Sequence, residues 1–185
     1  MHVTITGGAG FIGANLARHL LGIGAQVTIL DDLSSGNLAN IEELDVEFIE
    51  GSILDPDTIA FDSCDAIVHL GAVPSVPRSV KDPVTSHQAN ATGTLMVLEA
   101  ARKRNAHVIV ASSSSVYGAN PTLPKSEDMR PMPISPYAVS KLATESYAIS
   151  YQHCYDLPTL AFRFFNVFGP LQAPGHAYAA VVPAF

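Results

Sequence analysis

Short apolar runs rich in β-branched residues recur along the chain, and each is followed by a stretch whose apolar positions repeat at helical spacing. HVTIT (2–6), QVTILD (26–31), VEFIE (46–50), AIVHL (66–70), HVIVAS (107–112) and TLAFRFF (159–165) read as strands. GFIGANLARHLLGIG (10–24) and SPYAVSKLATESYAISYQHCY (135–155) read as helices, as does a longer segment over roughly 84–104. Shorter helices are expected near 37–43 and 55–60. Strands that alternate with helices and are apolar on both faces predict an α/β fold with a doubly wound parallel sheet, a Rossmann-type domain. Right-handed crossovers then place the functional loops at the carboxyl ends of the strands. The proline-rich stretch 119–136 is too long for a simple connection, and loops of that kind are functional or mobile.

Composition narrows the function classes. The 185 residues carry a net charge of −7 with scattered basic side chains, which argues against nucleic-acid binding. Cys64 and Cys154 form no metal or redox motif, so a reduced, cytoplasmic setting is expected. HVTIT reads as a strand already at residue 2, so no secretory signal is expected, and no run is long and apolar enough to span a membrane. The seven histidines show no ligand spacing, so no metal is expected, and His69 at the end of a buried strand reads as structural. Arg78, Lys81 and Arg102 to Arg104 read as solvated surface, and Phe164, Phe165 and Phe168 mostly as core.

Three stretches carry chemistry. TGGAGFIG (6–13) follows the first strand and opens a helix. Its glycines let the backbone turn tightly and set a pyrophosphate at a helix N-terminus, where N–H groups and the dipole favour negative charge. Asp31, ending the second strand, can accept both ribose hydroxyls of NAD and would repel the 2′-phosphate of NADP; it could instead cap the helix near 37–43. SPYAVSK (135–141) sets Tyr137 and Lys141 one turn apart on one helix face. A buried tyrosine beside a solvated lysine would look the same, but a nearby ammonium and a cationic nicotinamide could lower the phenol enough to make it a base at a carbinol. VIVASSSSVYG (108–118) delivers four hydroxyls, Ser112 to Ser115, at the end of a buried strand.

The runs TGGAGFIG, LDDLSSG, HLGAVPSVPRSVKDP, NATGTLMVLEAAR, SSSSVYG, SPYAVSK, RFFNVFGP and YAAVVPAF occur in that order across nearly the whole chain. With them the sequence resembles the extended short-chain dehydrogenase/reductase superfamily, most closely the UDP-glucose 4-epimerases and their UDP-hexosamine relatives. The resemblance implies a catalytic set of Ser113, Tyr137 and Lys141, and an NAD site. Gly7, Gly10, Phe11, Ile12 and Gly13 would meet the pyrophosphate; Asp31, Asp32, Ser35 and Gly36 would meet the adenosine ribose and its surroundings. Leu70, Gly71, Ala72 and Val73 would line the middle of the cleft, with Asn90 and Phe165 nearby and Ser112 shaping the pocket. Ser52 and Ile53 complete the cofactor set, Ser52 standing where relatives often carry an aspartate that binds the adenine amine.

For the substrate, a UDP-sugar, the resemblance points to Ser113, Asn166 and Tyr178, although Asn166 could simply cap its turn. Nucleotide-sugar 4,6-dehydratases carry an Asp–Glu pair where this chain has Ser114 and Ser115, so dehydration is disfavoured. The implied reaction is 4-epimerisation, most simply of UDP-glucose and UDP-galactose, with hydride leaving C4 and returning to the other face of a 4-keto sugar. UDP-glucuronate decarboxylation or epimerisation, or an NAD-sensing module without turnover, are the alternatives. The implied layout is an NAD-binding domain over 1–175 and the start of a substrate-binding region at 176–185. Relatives continue with a final strand and a lobe of on the order of 100 residues, so the chain is expected to be a fragment or a truncated form with the sixth strand's edge bare. Relatives also dimerise through the helices corresponding to 84–104 and 135–155, which implies a homodimer.

Overall fold

The computed structural model describes residues 1–59 and 64–172. Six parallel strands form one sheet: β1 (His2–Thr6), β2 (Gln26–Asp31), β3 (Glu47–Glu50), β4 (Ala66–His69), β5 (His107–Ser113) and β6 (Thr159–Phe164), in the order β3-β2-β1-β4-β5-β6. The order reverses direction at β1, which pairs Ile5 with Ile29 of β2 on one side and with Val68 of β4 on the other. The sheet therefore has a switch point at the carboxyl end of β1, where an open α/β sheet leaves a crevice for a ligand.

Helices cover both faces. On one, α1 (Phe11–Gly22) buries Ala14, Ala17 and Leu20 against Val3, Ile5, Val27 and Ile29. On the other, α4 (Gly93–Arg102) and α5 (Pro136–Tyr155) bury Val97, Leu98 and Ala148 over Ile67, Val108 and Val110. Each such large side chain, fully withdrawn from water, contributes about 2 kcal/mol. α5 starts sharply because Ser135 accepts a hydrogen bond from the Ala138 amide at 3.1 Å and Pro136 occupies the first turn, where its missing N–H costs nothing. Small residues on its inner side, Ala138, Ser140, Thr144 and Ala148, let it lie close to the sheet.

The six predicted strands are present with ends shifted by at most a residue. The helices differ more. The segment expected as one helix over 84–104 is three pieces, α3 (Pro83–His87), a π-helical turn (Gln88–Thr92) and α4. A further short helix, α2 (Val76–Lys81), precedes it, with Ser75 capping its first turn. Asp82 ends α2 and caps α3 by accepting from the Thr85 amide at 3.0 Å. The helix expected at 37–43 is a single 3-10 turn (Leu38–Asn40), and residues 56–59 form turns. Phe165 and Phe168 are not core: they are 62% and 63% exposed, because they follow the edge strand β6 and no further strand among the described residues covers them. His69 is structural as expected. Its ring bonds Thr6 Oγ1 at 2.7 Å and Thr94 Oγ1 at 3.1 Å, and burial, helped by the charge of Lys141, lowers its pKa to about 3, so it stays neutral.

Candidate active site

The carboxyl ends of β1, β2, β4 and β5 open into one cleft of about 850 Å³, within the range of ligand and cofactor pockets. At its floor Gly7 adopts φ +71°, and a Cβ there would lie 2.7 Å from the Gly71 amide nitrogen. A Cβ on Gly13 would lie 2.4 Å from Gly7 O. The loop thus packs against β4 and α1 with room for hydrogen only. Gly10 caps α1 with no side chain over the first turn, which leaves the helix N-terminus open beside Phe11 and Ile12. This is a cradle that a pyrophosphate fits and a side chain would fill.

Asp31 closes the β2 end. It is 7% exposed, and its two oxygens accept the Ala9 and Leu33 amides, each at 2.9 Å. Burial raises its pKa, against the lowering effect of those two amides. Each carboxylate oxygen keeps one lone pair, enough for a ribose diol. The carboxylate also organises the glycine loop, a role that the sequence did not reveal. Asp32, Ser35, Ser52 and Ile53 line the same end. Gly36 lies behind Asp31, where a Cβ would come 2.8 Å from Oδ1, and so supports the carboxylate from outside the cleft.

Leu70, Gly71, Ala72 and Val73 form the middle wall. Asn90 is not on it. At 1% exposure, its Oδ1 accepts the Val73 amide at 2.7 Å and its two N–H groups go to Val73 O and Ser140 Oγ. With both donors spent within the fold, Asn90 shapes the cleft through Val73.

Ser113, Tyr137 and Lys141 meet at the far end. Ser113 ends β5, and its hydroxyl accepts the Ser115 amide at 3.1 Å and lies beside the Tyr137 phenol. Burial raises the Tyr137 pKa, and the Ser113 contact is what opposes it. The lowering expected from Lys141 is absent in the protein alone. Lys141, 6% exposed, donates from Nζ to Ala111 O at 2.9 Å, and burial lowers its pKa to about 8. Ser112 borders the cleft, and its hydroxyl donates to Glu145 at 3.0 Å. Ser114 and Ser115 begin a 3-10 turn (Ser114–Tyr117) on the cleft rim, with no carboxylate at either position.

Phe165 and Asn166 reach the same end of the cleft. Tyr178 lies outside the described residues. Arg78 is exposed, as expected, and from α2 it also lines the cleft. Its neighbour Ser79 accepts the Tyr137 amide at 3.0 Å, which fixes α2 to the first turn of α5. Ser75, which starts α2, has φ +99°, a conformation that serine rarely adopts and that is found where a site over-determines the backbone. Two prolines in VPRSVKDP hid this helix, and with it the direction of Arg78. Among the described residues no cluster of His, Cys, Asp and Glu could hold a metal, and no helix is long and apolar enough to cross a membrane.

Comparison with known proteins finds relatives that match nearly all of the chain. UDP-glucose 4-epimerase of Mycolicibacterium smegmatis is 42% identical over 194 residues, covering all of this chain and 62% of that protein. The solved UDP-N-acetylglucosamine 4-epimerase of Methanobrevibacter ruminantium, in complex with UDP-N-acetylmuramic acid, superposes with a TM-score of 0.91 at 39% identity, over 98% of this chain and 60% of the other. The Thermus thermophilus UDP-glucose 4-epimerase complex with NAD gives 0.89 at 36% identity, over 96% and 59%. The chain thus spans about 60% of the length of these relatives. Residues 3–185 match the NAD dependent epimerase/dehydratase family, and the chain belongs to it.

Proposed function

We propose that the protein is an NAD-dependent 4-epimerase of a UDP-sugar, most simply UDP-glucose and UDP-galactose, and that residues 1–175 are its NAD-binding domain. The observation that carries this reading is the convergence of Ser113, Tyr137 and Lys141 at one end of a cleft whose other end holds the glycine cradle and Asp31. NAD fits the residues present, and when bound it supplies a reversible acceptor for the hydrogen at the sugar C4. Gly7, Gly10 and Gly13 would take its pyrophosphate and Asp31 its adenosine ribose, with Asp32, Ser35, Ser52 and Ile53 around them.

The chain's own residues do the rest. Tyr137 takes the proton from the C4 hydroxyl and gives it back, and Ser113, beside the phenol, orients that hydroxyl. Lys141 spends one of its three N–H donors on Ala111 O, leaving two for ribose and phenolate. Its ammonium favours phenolate once the cleft is filled and water is displaced. Ser114 and Ser115, which have no accessible pKa, leave C5 and C6 untouched. Asn166 and Tyr178 are assigned to the substrate. We place the protein in the cytoplasm and assign it a homodimeric state.

The test is to incubate the longest native form with NAD and UDP-glucose and follow the sugar by proton NMR. Inversion at C4 to UDP-galactose is expected. A 4-keto-6-deoxy product, or release of carbon dioxide from UDP-glucuronate with no inversion of neutral sugars, would replace this reading.

A further inference from the structure

Lys141 and Glu145 stand four residues apart on α5, the spacing at which opposite charges ordinarily pair. Both are buried, at 6% and 7% exposure, where such attraction is stronger than at a surface. Yet Lys141 donates to Ala111 O, and the carboxylate's ion-pair partner is Arg163 of β6. Arg163 Nε donates to Glu145 Oε2 at 2.9 Å and its Nη2 to Oε1, while Ser112 Oγ adds a bond to Oε2 at 3.0 Å. The guanidinium is itself fixed. It lies 4.9 Å over the Tyr117 ring and donates to Glu127 O at 3.2 Å.

We propose that Arg163 is a positioning residue for Lys141: by occupying both oxygens of Glu145 it keeps that carboxylate from capturing the ammonium, which stays at Ala111 with two donors for the cleft. A planar, permanently charged fork matches a carboxylate better than the single mobile ammonium of lysine, so Arg163 wins the competition. Without it, Glu145 would be a buried charge with no cation. His69 cannot serve, being neutral and bonded to Thr6 and Thr94. Lys141 can, because its four-carbon stem spans one helical turn. The ammonium would then leave the cleft, and a bound NAD would lose it.

The inference rests on the reading that Lys141 contacts NAD, so the test measures NAD affinity by calorimetry, with no sugar present. Four variants are compared with the unaltered protein: Lys141→Met, Arg163→Met, Arg163→Met with Glu145→Gln, and Arg163→Met with Lys141→Met. Arg163→Met should weaken NAD about tenfold, as expected for strongly coupled neighbours, and adding Glu145→Gln should bring it back to within about threefold. In the Lys141→Met background Arg163→Met should have no further effect. If Arg163→Met does not fold, Arg163→Gln, which keeps a donor for Glu145 but removes the charge, supports the same comparison. Equal weakening by Arg163→Met with and without Lys141, or no rescue by Glu145→Gln, would overturn the inference while leaving the NAD site standing. No loss of NAD affinity in Lys141→Met would instead remove the reading on which it rests.

Discussion

Removing the buried charge of Lys141 should stabilise the fold. Burial lowers its pKa from the ordinary 10.5 to about 8, which at about 1.4 kcal/mol per unit is a penalty of about 3 kcal/mol for keeping it charged. Between those two values the unfolded chain holds a proton that the folded chain has lost. The penalty is therefore fully present below about pH 8 and is relieved as pH rises towards 10.5. Lys141→Met keeps the apolar stem and deletes the charge. It also deletes the charge-assisted hydrogen bond to Ala111 O, a loss of about 2 kcal/mol at pH 7. The variant should be more stable by about 1 kcal/mol at pH 7, or roughly 2–4 °C in Tm for a domain of this size. By about pH 10.5 the charge penalty is gone and only the lost hydrogen bond remains, so the variant should be slightly the less stable. Urea unfolding followed by circular dichroism at about pH 7 and about pH 10 measures both differences. A variant less stable near neutral pH, or a gain that does not shrink with pH, would refute the claim that Lys141 is held charged at a cost to the fold.

Asp31→Ala should narrow the preference for NAD over NADP by at least about tenfold, or about 1.4 kcal/mol. It should also weaken both cofactors, since the Ala9 and Leu33 amides lose their acceptor; fluorescence titration that finds NADP bound as tightly as NAD by the unaltered protein contradicts the assignment. Arg78→Ala should raise the KM of the UDP-sugar about tenfold, the scale of a charge-assisted contact, while NAD affinity stays within about twofold; an unchanged KM would mean that Arg78 makes no contact with the sugar nucleotide. Val80, Val84, Ile134 and Val139 expose apolar side chains on or beside α2, α3 and α5. Light scattering at micromolar concentration should find a dimer, and a monomer would count against the homodimer.

The strands and the glycine loop were legible because their signals are local. β-branched runs have one reading when turn residues bound them, and TGGAGFIG couples a strand end to a helix start within eight residues. Tyr137 and Lys141 were legible because helical spacing alone puts them on one face. What the sequence hid depends on partners far along the chain. Asn90 looks like a cleft residue until its amide is seen bridging Val73 and Ser140, inside a π-helical turn that no propensity announces. Ser112 looks like its neighbour Ser113, but successive side chains of a strand point to opposite sides, and Ser112 meets Glu145. No helix was expected over VPRSVKDP, yet both of its prolines fall in first helical turns, where proline is tolerated. The phenol of Tyr137 was expected to be lowered by Lys141, but spacing says nothing about what the ammonium bonds, and it bonds Ala111 O.

The central claim, that Tyr137 is the acid–base of a UDP-sugar 4-epimerase, is tested most directly by the turnover of Tyr137→Phe in the longest native form. The ring and its burial are kept and the proton is removed, so the fold and NAD affinity should be unchanged. Turnover of UDP-glucose should fall by at least the ~10²-fold that general acid–base help supplies. Near-native turnover by a folded, NAD-loaded Tyr137→Phe protein would contradict the account.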